Sequence, residues 1–440
     1  GYVPLYAMII AGWHPLLIGG MLVAVHSINF AILWAITDRI LPSEIPGKAA
    51  LCFLGVGLSF VAPIQLTMLG GTFLDPITSI FVLSGLWLLI SNTNNAAPRT
   101  AVLIGTAIGL AAGLKLTNLL MIPALAFAIE AAHDRHSMRA IASRFAAYGA
   151  GVLLGVTITH GYWSHELMRE TGNPLFPLLN NIFQSPDFPA IAFQDRRHFG
   201  DGWLGVLTFP LTMLAHRGWV YAENIVADVR PLALCVSLVV AAIWTATRKR
   251  EAGPTTPKQR EALAIRALLI FVGVFYLTWM ATSRIGRYAL VLWLLVGPLI
   301  IAVLVRIRWR IVTMSIAALT IGIQLLFFFN TGNLRWTPAP WGDQWMDIRL
   351  SEELREKPSA YLTIGTLSFS AMIPYFNEKS RFANIAGQYM QPVGTRMTLK
   401  MREFLETTLP LKAIFVATGS DAEQIREELR ADVNATLSLY

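Results

Sequence analysis

Read for hydrophobic and polar positions alone, the chain is a succession of apolar runs with few interruptions. Ten stand out, at 19–37, 49–67, 77–91, 101–114, 116–130, 146–161, 231–247, 267–281, 289–304 and 311–329. Long runs without strand-like alternation predict helices, and those approaching ~20 residues predict helices that cross a bilayer. Several are shorter, which suits a protein whose cavity cuts into the membrane from one side. The pattern changes after residue 329. Strand-like runs at Tyr361–Gly365, Phe382–Gly387 and Ala413–Thr418 alternate with helix-like ones at 345–357, 398–408 and 421–431. That alternation predicts a small α/β domain. The expected fold is mainly α: a polytopic membrane domain of about ten spans over 1–329, then an α/β domain over 330–440.

Charge sharpens this division. Only 14% of the 440 residues are charged, against about a quarter in a soluble domain, and mean hydropathy is positive. Residues 330–440 hold 25 of the 62 charged side chains. Lysine and arginine then orient the spans. Fifteen fall in the segments 38–48, 91–99, 131–145, 247–266 and 305–310, against three (Lys115, Arg284 and Arg287) in the opposite short loops. The first set is therefore expected on the cytoplasmic side, with the loop 162–230 and the tail on the other. The net charge of +8 reads as topology rather than as a nucleic-acid surface, because its basic residues sit between apolar runs. Within 162–230, an amphipathic helix at 163–171 and a half-buried segment at 203–216 are expected.

Few residues in such a chain can carry chemistry. Cys52 and Cys235 lie in apolar runs without metal-ligand or paired spacing and read as small core residues. His14, His26, His160 and His165 show no ligand repeat and read as structural. No soluble-enzyme nucleotide, metalloprotease or nucleophile motif is present. Three far-side positions remain. Asp75, in MLGGTFLDPITS, is either a helix cap or a functional carboxylate that binds a divalent cation or takes a proton. Lys115 lies at the apex of a short hairpin formed by 100–130; it either snorkels to headgroups or faces a wet cavity or an anionic partner. Arg287 precedes a span, with Arg284 one turn away; arginines there anchor headgroups or bind phosphate.

Several of these segments together resemble one family. GTFLDP before a span, GLKLTN at a hairpin apex, TGNPLFPLLNNIFQSPDF after the next span and RYALVL late in the membrane part are similar to bacterial membrane glycosyltransferases of the GT-C superfamily. The closest likeness is to the branch labelled glycosyltransferase family 87 or mannosyltransferase-like. It covers most of residues 1–330, and its most specific piece contains Asn173, Pro174, Phe176 and Pro177. The resemblance implies an inner-membrane enzyme that moves a sugar from a polyprenyl-phosphate carrier on the extracytoplasmic face. It implies Asp75 as the acid of the second outer loop, and Lys115, Arg284 and Arg287 around the lipid phosphate. It also implies an extracytoplasmic C-terminal α/β domain. Family members carry their principal acid in a preceding outer loop. Here GYVPLYAMIIAGWHP resembles the end of that loop, and residues 1–18 contain no Asp or Glu, so a further N-terminal span and acidic loop are expected.

Two other classes compete. A noncatalytic scaffold or accessory subunit would keep the fold without the first acid, and protein partners fit that reading. A secondary transporter would show repeated halves, and no second copy of the hairpin is visible. The sugar, the acceptor and any metal dependence have no signature in the sequence.

Overall fold

The computed structural model describes residues 3–94, 97–134, 137–192, 198, 202–215, 226–247, 256–307, 310–331, 342–343, 348–364, 369–386 and 394–415. All ten apolar runs are helical. They fall in α2 (Pro15–Ile40), α3 (Lys48–Phe60) with α4 (Pro63–Met68), α5 (Asp75–Ser91), α6 (Pro98–Leu114), a 3-10 turn at Leu116–Leu120 leading into α7 (Met121–Ala131), and α8 (Met138–Thr171). The later ones are α11 (Arg230–Thr247), α12 (Thr256–Thr282), α13 (Leu290–Val305) and α14 (Arg310–Thr331); the short helices α1 (Val3–Ile10), α9 (Asn180–Phe183) and α10 (Gly202–Thr212) complete this part. Among the described residues, six helical stretches are long and apolar enough to cross a membrane, so the chain reads as an integral membrane protein. The remaining apolar helices are shorter.

Several expectations change. The run 49–67 breaks between α3 and α4, because the residue before a proline is biased away from helix and Ala62, before Pro63, is extended. The expected separate helix at 163–171 instead continues α8 without interruption. Nothing within 162–171 stops it, and it ends before Gly172, whose φ of +74° suits a C-terminal glycine. The half-buried segment is α10: Val206 and Phe209 are buried, while Trp203, Leu204 and Leu207 are exposed. Cys52 is buried as expected, but Cys235 is exposed on α11.

The chain divides into two compact units, Gly1–Tyr162 with Gln194–Asp343, and Trp163–Phe193 with Gln344–Tyr440. The first is built around α13, which is apolar on every face and buried along its whole length. A helix hydrophobic all round has to be wrapped by others, and α3, α11, α2, α12, α14 and α5 pack on it. The approach to α3 is close: Ser59 Oγ donates to Leu294 O at 2.5 Å, and a Cβ on Gly297 would lie 2.2 Å from Gly55 O. Outward residues of α8, such as Leu153 and Ile158, remain exposed, as lipid-facing side chains would be.

Helices α6 and α8 meet through glycines. A Cβ on Gly105, Gly109, Gly151 or Gly155 would come within 2.1–2.4 Å of a backbone carbonyl on the other helix. Small residues at four-residue spacing let helix backbones touch, the arrangement favoured between helices in lipid.

The second unit holds a three-stranded parallel sheet in the order β2 (Arg381–Ala386), β1 (Ala360–Ile364), β3 (Leu411–Phe415). Ala360 is in register with Arg381 on one side and Leu411 on the other. The middle strand is buried throughout, as a parallel strand with both neighbours requires. Ala360, Leu362 and Ile364 form a core with Met401 and Phe404 of α16 (Arg396–Leu405), while Tyr361, Phe376 and Phe382 make an aromatic cluster. Before the sheet, α15 (Glu352–Glu356) covers part of the expected 345–357; residues 348–351 are not helical, and 345–347 lie outside the described residues. The expected helix 421–431 and the strand end 416–418 lie outside the described residues.

Candidate functional site

Two residues separated by 40 positions meet at the open end of the α5–α6 hairpin. Asp75 is the first residue of α5, and Lys115 is the residue that ends α6. The two helices pack side by side, joined at the other end through 92–97, so this start and this end come level. Lys115 Nζ lies 2.5 Å from Asp75 Oδ1, with the Asp75 side chain 4% exposed and that of Lys115 19%. Asp75 is not the N-cap of α5; that position is Leu74. Its carboxylate still stands in the first helical turn, where the macrodipole favours negative charge. Lys115 has extended backbone, with φ −147° and ψ 107°, and Asn118 Nδ2 donates back to Ala111 O at 2.9 Å. That hydrogen bond fixes the turn in which α6 stops and the lysine is presented.

The lysine faces protein as well as carboxylate. Its Nζ sits 4.5 Å from the ring centroid of Tyr288, and the Arg287 guanidinium lies 5.4 Å from the same ring and 5.7 Å from that of Phe73. Cations over aromatic faces gain electrostatically, more so when desolvated. Lys115 and Arg287 therefore share the Tyr288 ring, and Lys115 carries Asp75 to the same place. Arg284 has a different setting. It has a φ of +56° after α12, and its Nε donates to Met280 O at 3.0 Å.

The surroundings of Asp75 contain buried polar atoms that the described residues leave unsatisfied. Asn29 Nδ2 donates to Pro76 O at 2.7 Å, and the Gly70 amide donates to His26 Nδ1 at 3.3 Å. Asp75 Oδ2, Asn29 Oδ1 and His26 Nε2 have no hydrogen-bond partner among the described residues. Such buried groups ordinarily take water or a ligand. A divalent cation fits less well. Lys115 already occupies Asp75 Oδ1, and among the described residues no group of three or more His, Cys, Asp or Glu side chains is placed to hold a metal. His26, Asn29, Phe73 and Tyr288 were not apparent as site residues from sequence. Only the position of Tyr288 beside Arg287 offered a signal.

The outer-loop motif belongs to the second unit and is a knot of side-chain-to-backbone bonds. Asn173 Nδ2 donates to Leu178 O at 2.9 Å, and its Oδ1 accepts from the Leu175 amide at 2.9 Å. Asn180 Nδ2 reaches Ser185 O, Phe188 O and Pro189 O, and its Oδ1 accepts from the Ser185 amide at 2.8 Å. Pro174 follows Asn173, the Phe176–Pro177 peptide is cis, and the Phe176 ring meets Phe188 edge-on at 6.1 Å. Asp187, 1% exposed, takes Arg396 through both carboxylate oxygens, and the Arg396 amide donates to Pro186 O at 2.9 Å. The motif thus joins the loop to the start of α16. Asn180→Ala is expected to cost about 1–3 kcal/mol by leaving buried backbone groups unpaired. Faster amide exchange at Ser185 would register the loss; unaltered exchange there would refute it.

Compared with known proteins, the chain matches no family model, no curated protein and no solved structure.

Proposed function

We propose that this chain is a membrane glycosyltransferase that moves a sugar from a polyprenyl-phosphate carrier to an acceptor on the extracytoplasmic face. The observation that carries the reading is the buried Asp75–Lys115 pair with Arg287 and Tyr288 around it. In the reaction, the acceptor hydroxyl attacks the anomeric carbon, the bond from that carbon to the phosphate oxygen breaks, and the hydroxyl proton leaves the nucleophile. Asp75 Oδ2, buried and without a hydrogen-bond partner among the described residues, is the oxygen that takes that proton once the acceptor enters. Lys115 and Arg287 stabilise the charge gathering on the departing phosphate. Before the carrier arrives, Asp75 holds Lys115 in place and balances its charge.

A direct test measures transfer from a labelled polyprenyl-phosphate sugar by the full chain in membranes. Asp75→Asn is expected to lower the rate about 100-fold or more. Lys115→Ala and Arg287→Ala are expected to weaken retention of polyprenyl phosphate, read by native mass spectrometry, while expression persists. Unchanged transfer in the first variant and unchanged retention in the other two would sink the proposal.

One observation favours the scaffold reading instead: Lys115 is already neutralised within the protein. Under that reading the pair only joins α5 to the end of α6. A double replacement, Asp75→Leu with Lys115→Met, would then leave the protein's stability and its assembly with partners unchanged.

A further inference from the structure

The basic residues read above as topology signals do more than orient helices at one place. Arg39 closes α2, Lys48 opens α3, and Arg260 lies in the first turns of α12, more than 200 positions along the chain. All three line one cleft of about 350 Å³, together with Asp38, Ser43 and Glu261. Electrostatic orientation of spans needs positive charge on one side of the membrane; it does not need distant loops to share a cavity.

The charges in the cleft are unevenly matched. Lys48 Nζ pairs with Asp38 Oδ1 at 2.9 Å. Glu261 acts electrostatically on Arg306, at the end of α13. Among the described residues no hydrogen bond or ion pair engages Arg39 or Arg260. The α3 N-terminus adds to the same field. Its N-cap is Gly47, with φ +71° and no side chain to accept an orphan amide, and its first turn has no acid. Free amides and a positive dipole end favour an anion there. Two arginine forks left unfilled by the described residues match the oxygens of a phosphate better than any neutral group.

The geometry points to this cleft as a phosphate-binding site, separate from the Asp75–Lys115 pair and independent of the reaction proposed for it. The ligand is a phosphate-bearing anion, either the headgroup of an anionic phospholipid or a soluble phosphate. A cleft of this size lies within the range of small-molecule sites. Its residues come from the ends of apolar helices, the level at which headgroups lie.

The test uses the full purified chain. One arm places it in nanodiscs of mixed phosphatidylglycerol and phosphatidylcholine and counts retained lipids by native mass spectrometry. The other follows its melting temperature in detergent as inorganic phosphate is added. The variant Arg39→Gln with Arg260→Gln is expected to retain about tenfold less phosphatidylglycerol, or to lose the thermal response to phosphate. The first outcome identifies a lipid headgroup and the second a soluble anion. The two side chains engage no described partner, so the variant should keep the native melting temperature. An Arg99→Gln with Arg139→Gln variant, which removes two exposed arginines away from the cleft, should behave as the native chain. Equal retention and equal thermal response in native and cleft variants would overturn the site, as would an equal loss in the second pair.

Discussion

Replacing Asp228 with alanine is expected to destabilise the helical unit by about 3–5 kcal/mol, the cost of leaving one member of a buried ion pair alone. Its partner, Arg230, is fully buried at the start of α11. Arg230 Nε lies 2.9 Å from Asp228 Oδ1 and Nη2 lies 2.5 Å from Oδ2, while Nη1 donates to Leu58 O and Trp293 O. The Leu58 carbonyl is in the last turn of α3, where helix carbonyls lack intrahelical partners and a cation is favoured. The backbone around the pair is tied as well. The Asp228 amide donates to Met213 O at 2.8 Å, the Val229 amide donates to Gln324 Oε1, and Gln324 Nε2 returns to Ala227 O. One short segment therefore links α3, α11, α13 and α14. Removing both charges, in Asp228→Ala with Arg230→Met, should cost much less than the single change. Thermal unfolding of the purified protein in detergent measures both. A single variant that melts with the native chain would show that Arg230 finds solvent or another acid.

The second large effect is steric. Gly155→Val is expected to cost about 3 kcal/mol, the upper end for overpacking. A Cβ there would stand 2.4 Å from Thr106 O and 2.5 Å from the Leu110 amide nitrogen. These are backbone atoms of α6, which no rotamer change can move aside. The helices would have to separate, stretching the 3.3 Å bond from Thr159 Oγ1 to Leu110 O and shifting the end of α6 that presents Lys115. The matched control is Gly149→Val, where nothing lies within 4 Å of the added carbon. It should change the melting temperature little. Similar losses at both positions would mean that α6 and α8 do not touch through glycine.

Hydrophobic patterning revealed every long apolar helix and the place of all three strands, which begin at Ala360, Arg381 and Leu411 rather than at Tyr361, Phe382 and Ala413, since burial against lipid or a sheet leaves an unmistakable mark on composition. It did not reveal how the helices pair. Gly105, Gly109 and Gly113 on α6, and Gly151 and Gly155 on α8, carry a legible four-residue spacing, but only the fold says that the two rows face each other. The run 49–67 read as one segment, although Pro63, through its effect on Ala62, is what breaks it after α3. Asp75 and Lys115 each stood out as charges in apolar surroundings, yet their partnership depends on α5 and α6 being adjacent and antiparallel. The aromatic residues beside Lys115 and Arg287, Tyr288 and Phe73, are indistinguishable in sequence from the many others in the membrane part. The Asn173–Asn180 knot shows the opposite limit. Its sequence was distinctive, but its polar groups turn inward to backbone, so distinctiveness there reflects loop architecture.

The length of α5 and α6 has a consequence for the membrane itself. Each has 17 residues, about 25 Å of helix at 1.5 Å per residue, whereas the hydrocarbon layer is about 30 Å thick. The shortfall falls where Asp75 and Lys115 sit if the 92–97 connection is held at the opposite surface. Where this hairpin crosses a bilayer, the lipids beside it thin or water enters beside the pair, and either adjustment costs a fraction of a kcal/mol per Å of mismatch. Acyl-chain length thus becomes a variable acting on the ion pair: a thicker bilayer draws it deeper below the surface, and a thinner one brings it to the level of the headgroups.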